Sequence, residues 1–338
     1  MMKKHKKLKV FGLVVLTIVT FFLVINVVPP KKSNDVNPFI STTGKPMISA
    51  HRGGADNNPE NTMKAFKSAV NEYKVDILES DLYLTKDGYL VYNHDSYIDE
   101  TCNVNGDISL DEVEDLPKDK RHYIENMTLE ELRTYNFGYY YEENGTRLYK
   151  EVTDINAEDL QITEAEELFK TFYETNPDLL FIIEIKNSGE RGYKAFDTLN
   201  KILEKYPNYK DQIVIGTFHD EIEDYIKENY PEYYRGAPTG TAAKFIITQL
   251  LKVNIFDNGD FDCLQIPMEF DLFEINDKDV SLKLDKKQFI RRAHRRNIAV
   301  QYWTINEEED MRRLINLGVD AIMTDNPKLL NEVLKDYE

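Results

Sequence analysis

Nine short apolar runs, most of them separated by amphipathic stretches, constrain this chain more than any other feature. They lie at 47–51 (MISAH), 76–84 (DILESDLYL), 89–94 (YLVYNH), 179–186 (LLFIIEIK), 212–218 (QIVIGTF), 233–237 (YYRGA), 262–267 (DCLQIP), 297–305 (NIAVQYWTI) and 320–325 (DAIMTD). Strands alternating with helices predict a parallel sheet. Helix starts are signalled by Thr62 ahead of Met63, Phe66 and Val70, and by Thr128 with Glu131 and Thr163 with Glu166 at capping-box spacing. One pair of runs breaks the alternation. Only Thr85-Lys86-Asp87-Gly88 separates the second from the third, too few residues for a parallel crossover, so these two form an antiparallel hairpin. Setting its return arm aside leaves eight helix-separated parallel strands, the count of a closed (β/α)8 barrel. An open doubly wound sheet competes with this reading, but no Gly-rich dinucleotide loop supports it.

Ahead of the first strand, residues 10–29 carry no charge, and their length matches the ~20 residues of a membrane-spanning helix. Lys3, Lys4, Lys6, Lys7 and Lys9 precede the run and only Lys31 and Lys32 follow closely, so the positive-inside bias leaves residues 1–9 as a cytoplasmic tail. The run then reads as an uncleaved signal anchor, with residues 30–46, rich in Pro, Ser, Asn and Thr, as a linker. Residues 47–338 form one domain outside the cell membrane. A cleaved signal peptide would need a small-x-small site that VINVVPPKKS lacks. Without its five leading lysines the chain keeps 37 basic residues against 60 acidic ones. Such a surface excludes nucleic acid as an electrostatic partner. Cys102 and Cys263 read as two free, partly buried thiols.

Active groups of a (β/α)8 barrel gather at the C-terminal ends of its strands. Those ends carry His51 and Arg52, Glu79 and Asp81, Glu184 and Lys186, Thr217, Trp303, Thr324 and Asp325. Glu79 and Asp81 are two apart and face the same way, as do Glu184 and Lys186. Three carboxylates converging in one mouth call for a neutralising cation, and an all-oxygen set suits Mg²⁺ or Ca²⁺. An ionic network with Lys186 and Arg52 is the alternative. With Asp87-Gly88 as a two-residue turn, Lys86 pairs with Tyr89 and His94 falls opposite Asp81. His51 and His94 are thus two proton-transfer groups beside the carboxylates. Arg52 and Lys186 add the fixed positive charge that a phosphodiester needs. His122, His294 and the run Arg291, Arg292, Arg295 and Arg296 read as solvated surface, His219 as the start of a helix, and Phe137 with Tyr139–Tyr141 as a cluster packing a loop onto the barrel.

The stretches AHRGGADNNPENTMKAF, ILESDLYLTKDGYLVYNHD, FIIEIK, GTF, NIAVQYWTIN and GVDAIMTDNP, in this order, resemble the glycerophosphodiester phosphodiesterase family across nearly all of residues 47–330. The resemblance implies a TIM barrel that hydrolyses glycerophosphodiesters to sn-glycerol 3-phosphate and an alcohol, using a divalent metal. It implies that His51 and His94 act as general acid and base, and that Glu79, Asp81 and Glu184 hold the metal. Arg52 and Lys186 would contact phosphate, Glu60 and Asn61 of PENT would support the site, and Trp303 would wall the glycerol. Thr217 stands where the family more often has Ser. MTLEELRTYNFG resembles the helix after the family's variable segment, here the acidic residues 96–127. The expected substrate is a small glycerophosphodiester or a glycerol-phosphate polymer. The alternatives are a barrel phospholipase acting on intact phospholipid and a catalytically inactive module that binds such polymers.

Overall fold

The computed structural model describes residues 2–27, 30–251, 253, 259–275 and 278–337. All nine apolar runs form strands. In chain order these are β1 (Met47–Ala50), β2 (Ile77–Leu84), β3 (Leu90–Tyr92), β4 (Leu180–Ile185), β5 (Ile213–Gly216), β6 (Tyr234–Arg235), β7 (Cys263–Ile266), β8 (Ala299–Tyr302) and β9 (Ala321–Thr324). Eight of them run parallel in the order β6-β5-β4-β2-β1-β9-β8-β7, and β3 pairs only with β2. A parallel bridge between Gly236 and Cys263 joins the two ends and nearly closes the ring. Helices such as Met63–Asn71, Gly189–Leu203 and Glu308–Leu317 bury one face each against the outside of the strands.

Thr62 caps its helix, accepting from Ala65 N–H at 3.3 Å, and Thr128 and Glu131 close a capping box. The box expected at Thr163 and Glu166 does not form. The Thr163 carbonyl accepts from Tyr92 N–H at 3.0 Å, which holds that residue extended, and the helix begins at Ala165.

The hairpin register differs from the expected one by a residue. Leu82 pairs with Tyr92, Tyr83 with Val91 and Leu84 with Leu90, and Thr85 N–H donates to Tyr89 O at 2.8 Å. The loop is therefore three residues, Lys86–Gly88, ending at a left-handed Gly88 with φ 91°. Asp87 selects this form: its carboxylate accepts from Thr85 Oγ1 at 2.7 Å and from Leu129 N–H at 3.1 Å, tying the loop to the next helix. Asn93, not His94, lies opposite Asp81, donating N–H to its carbonyl at 3.0 Å.

Residues 33–41 are not a free linker. Phe39 is fully buried beneath the barrel, against the inward side chains of Ile77, Leu180, Val214 and Ala321. Ser33 N–H donates to Arg296 O at 2.8 Å, Asn37 Nδ2 to Asp262 O at 2.8 Å, and Ser41 N–H to Asp320 Oδ1 at 3.1 Å. The acceptors sit at the N-terminal ends of strands, where carbonyl and carboxylate oxygens face an otherwise open floor. Polar composition alone hides such a plug, because one phenylalanine supplies most of its apolar burial. Residues 2–27 form a helix with exposed apolar side chains from Val10 to Val24. Among the described residues, no helix is long and apolar enough to cross a membrane.

One surface expectation is corrected, that of Arg296, while His294 and His122 stay partly exposed and each meets a carboxylate. Arg296 is fully buried. His294 Nε2 lies 2.7 Å from buried Asp320, and His122 Nδ1 lies 2.9 Å from Asp99. Burial raises the Asp99 carboxyl, but donors from His122 and Asn105 outweigh it and hold the group below its ordinary value. Asp99 therefore contributes stability above about pH 4 that disappears as pH falls through its lowered value. An Asp99→Asn variant will melt several degrees below wild type at pH 7. Melting curves will converge as pH drops below about 4; a gap that stays constant would refute this role. Both cysteines are free and buried, Cys263 inside the barrel floor.

Candidate active site

The first strand ends in a backbone that only its sequence tolerates. Arg52 is left-handed (φ 51°), and Gly53 and Gly54 follow at φ 83° and 96°. A Cβ on Gly54 would come within 2.8 Å of Pro327, so the second glycine lets this turn pack against the last helix. The turn faces His51 and Arg52 into the mouth. His51 Nδ1 lies 2.6 Å from Asp325 Oδ1, and its Nε2 is 3.9 Å from Glu79 Oε2. Asn306 holds Asp325 in place, with Nδ2 donating to Oδ2 at 2.7 Å and Oδ1 accepting the Asp325 N–H at 3.0 Å.

Burial depresses the His51 pKa, but the hydrogen bond to Asp325 and the charges of Glu79 and Asp325 overcome it, and the imidazole is raised above its ordinary value. Asp325 is lowered: burial raises it, and the His51 bond more than compensates. An ionised Asp325 accepts, so Nδ1 carries the proton and Nε2 is the atom presented to the mouth.

The predicted carboxylates converge. The parallel register sets Asp81 beside Glu184 on β2 and β4. Lys186 Nζ bridges them, at 3.4 Å from Asp81 Oδ1 and 3.1 Å from Glu184 Oε1. Arg52 Nη1 donates to Glu60 Oε2 at 2.9 Å, its Nε lies 3.8 Å from Asp81 Oδ2, and its backbone N–H donates to Glu79 Oε2 at 2.9 Å. Burial and the Asp81 charge push Glu79 up to about 8. Glu184 is raised by burial, against the pull of Lys186.

Among the described residues, no group of three or more His, Cys, Asp or Glu side chains is arranged to hold a metal ion. Two observations nonetheless fit a hard cation. Asp81 Oδ2 is buried without a hydrogen-bond partner, and Glu79 is driven toward its neutral form first by burial and then by the Asp81 charge, which a cation would offset.

His94 reaches this cluster by a route other than strand pairing. Asn93 Nδ2 donates to Asp95 O at 2.8 Å and Tyr97 O at 3.1 Å, folding the chain back after β3. The charge of His94 then acts on Glu184, and its Nδ1 lies 3.2 Å from Asp95 Oδ1. The hydrogen bond with His94 is the main reason the Asp95 carboxyl is lowered.

Asn61 supports the turn through its backbone, donating N–H to Arg52 O at 2.8 Å, while its buried amide has no partner. Thr217 is structural: its hydroxyl donates to Ile185 O at 3.0 Å and accepts from His219 N–H at 3.2 Å. His219 does precede a helix, Asp220–Asn229. Trp303 is partly exposed at the end of β8, not in the core. Sequence reasoning placed Asp325 at a strand end without a role and missed Asn306 and Asp95. The signal was there in the polar residues just past strand ends in TIN and TDNP, but only contacts between loops assign them.

A nearly closed parallel barrel with this cluster of titratable side chains at its C-terminal mouth has the architecture of a (β/α)8 barrel enzyme. The chain belongs to the glycerophosphoryl diester phosphodiesterase family, whose model matches residues 51–329, and so to the enzymes that hydrolyse glycerophosphodiesters. It is 26% identical over 299 residues to a glycerophosphodiester phosphodiesterase of Caldanaerobacter subterraneus subsp. tengcongensis, covering 86% of this chain and 98% of that one. It is 26% identical to a lysophospholipase D of Mus musculus, covering 85% and 86%. Its fold matches an Oleispira antarctica phosphodiesterase solved in complex with the product sn-glycerol-3-phosphate, with a TM-score of 0.60, 19% identity, and coverage of 86% and 97%.

Proposed function

We propose that this chain hydrolyses glycerophosphodiesters to sn-glycerol 3-phosphate and an alcohol by two-histidine acid–base catalysis. The observation that carries the reading is His51, fixed by Asp325 through Nδ1 so that Nε2 stands beside Glu79, with Arg52 and Lys186 flanking. Arg52 Nε is buried and has no hydrogen-bond partner, which leaves it able to donate to a phosphate oxygen. Lys186 brings a second positive charge to the same place. One histidine takes a proton from the attacking hydroxyl, of water or of glycerol, and the other gives one to the departing alcohol. Where glycerol attacks, the cyclic phosphate formed is opened by water, which loses its proton to one histidine as the other protonates the ring oxygen that leaves. Trp303 flanks the mouth as a wall for the glycerol.

Glu79, Asp81 and Glu184 are the residues that would hold a divalent cation, Ca²⁺ or Mg²⁺. Such an ion acts as a Lewis acid on phosphoryl oxygen. Prolonged EDTA treatment of the full-length protein will abolish release of glycerol 3-phosphate from glycerophosphocholine, and added Ca²⁺ or Mg²⁺ will restore it. Full activity after chelation would refute the carboxylate cage.

The site is further proposed to lie outside the cell, with residues 10–29 as a single-pass anchor and residues 1–9 in the cytoplasm. The charge-free run and the five lysines before it support this reading. Ser33, attached to the barrel floor, follows the run by four residues. That short tether turns the floor toward the membrane and the mouth away from it, which favours diffusible diesters over lipid held in the bilayer. A lysolipid substrate is the second reading, favoured by Phe218, 64% exposed beyond β5, and Trp303, 38% exposed beyond β8. Lysophosphatidylcholine assayed beside glycerophosphocholine separates the two.

A further inference from the structure

The chain carries 60 acidic residues, yet two stretches, residues 233–256 and 286–306, carry none. They hold two neighbouring helices, Thr239–Leu250 after β6 and Lys287–His294 before β8. The Phe245 and Phe289 rings meet edge-on with centroids 5.8 Å apart, and the Arg292 guanidinium donates to Gln249 O. Each helix runs from the mouth toward the floor, so its last turn lies at floor level. The outward face of a barrel helix is ordinarily charged, as Asp224, Lys227 and Glu228 make it on Asp220–Asn229. Thr239–Leu250 is apolar on both sides instead. Ala242 and Phe245 are buried against the barrel, Ile247, Leu250 and the following Leu251 are exposed, and Lys244 is the single charged side chain.

The segment that plugs the floor passes beside this face. Ser33 N–H donates to Arg296 O at 2.8 Å and its hydroxyl to Asn297 O at 3.2 Å, just past the end of Lys287–His294. Tyr234, at the start of β6, donates its hydroxyl to Val36 O at 3.2 Å, and Val36 is itself exposed. Around the same place Lys31, Lys32, Arg291 and Arg295 are exposed. Asp35 is the single acid of residues 1–55, and Asp260, ahead of β7, is already paired with Lys227 and Arg235. A strongly acidic chain therefore presents one basic and apolar face, and it lies where residues 30–33 reach the barrel.

We propose that this face docks the barrel on the anionic headgroups of the bilayer, with Ile247, Leu250 and Leu251 entering the interface and Lys32, Lys244 and Arg291 meeting lipid phosphates. The proposal rests on the reading of residues 10–29 as a membrane anchor. Four residues separate that run from Ser33, a reach of roughly 14 Å when fully extended, so an anchored barrel holds its floor within contact distance of the headgroups. So short a tether makes docking an intramolecular event at high effective concentration, and a modest patch is then sufficient. Basic side chains beside apolar ones are the composition of an interfacial helix face. A second copy docked face to face would instead set Lys244 and Arg291 against like charges.

The test uses the full-length protein in phosphatidylglycerol–phosphatidylcholine vesicles containing doxyl-labelled lipid. Cys102 and Cys263 are buried, so a nitrobenzoxadiazole maleimide reacts with a single thiol introduced by Leu251→Cys, or by Tyr89→Cys at the mouth end. The label at 251 will be quenched by doxyl lipid and the label at 89 will not. Lys244→Glu and Arg291→Glu will each lower the ratio of docked to undocked barrel by about fivefold, the worth of one basic side chain at an anionic surface, and leave hydrolysis of glycerophosphocholine unchanged. Vesicles of phosphatidylcholine alone, or high salt, will act in the same direction. A chain that floats with the vesicles while the label at 251 stays unquenched overturns the docking face and leaves the anchor standing. Quenching that neither the charge reversals nor the lipid composition alters also overturns it. So does a blue shift of the label at 251 that follows protein concentration and ignores doxyl lipid, the mark of a second copy. Quenching in a chain that alkaline carbonate strips from the vesicles overturns the anchor and upholds the face. A chain that does not float with vesicles at all overturns both.

Discussion

Replacing His51 by alanine will lower kcat on glycerophosphocholine by about 10²- to 10⁴-fold, the usual contribution of a positioned acid or base, while leaving the melting temperature within a few degrees. The side chain is half-buried at the mouth, and the strand beneath it is held by backbone pairing to β2 and β9. Asp325→Asn gives the sharper test, because it changes His51 without removing it. The carboxylate holds the Nδ1 proton and is the first of the influences that raise the imidazole. With an amide in its place the His51 pKa falls. Whichever limb of the pH–rate profile His51 controls will then move to lower pH, whether it acts as acid or as base, and kcat will drop by at least about tenfold. An unmoved profile together with near-normal kcat would refute the His51–Asp325 assignment. His94→Ala is expected to cost a comparable factor, and near-full activity in that variant would remove His94 from the mechanism.

Phe39→Ala will destabilise the barrel by about 3–5 kcal/mol, the cost of emptying a phenylalanine site in a core. Phe39 is fully buried, packs edge-on against Tyr234 with centroids 6.0 Å apart, and seals the floor cluster of Ile77, Leu180, Ile182, Val214, Cys263, Ala299, Ala321 and Met323. For a chain of this size the loss corresponds to a fall in melting temperature of roughly 10 °C. Truncation to residues 47–338 will be worse. It removes the ring and also the donors that Ser33, Asn37 and Ser41 bring to Arg296 O, Asp262 O and Asp320 Oδ1. That fragment will express poorly or aggregate, whereas residues 30–338 will fold. A Phe39→Ala protein within 1 kcal/mol of wild type by denaturant unfolding would show that the segment is only draped over the floor.

Much of the fold was legible in residue order. Strand runs such as LLFIIEIK and DAIMTD are apolar because both faces of a parallel barrel strand are covered, and they were found within a residue or two of their ends. The period-2 rule placed Glu79 with Asp81 and Glu184 with Lys186, and each pair does meet in the mouth. Where local reasoning went astray, a distant group had changed the outcome. Asp87 accepts from Leu129 and selects a three-residue loop, so the register of β3 slips by one and Asn93 takes the place expected for His94. Thr163 is held in an extended backbone by Tyr92 and cannot cap. Arg296, in a run of arginines that reads as surface, lies buried.

The sequence by itself determined the barrel, the strand ends that carry chemistry and the family to which the chain belongs, because these depend on the spacing of residues along one chain. Only the tertiary structure decided which groups act together. Asp325 is joined to His51 across 274 positions, Asn306 to Asp325 from another loop, Phe39 to the barrel floor, and Tyr141 to the turn at Arg52. These are contacts between segments far apart in sequence. Their energies depend on distance and burial in the closed barrel, which the order of residues does not express.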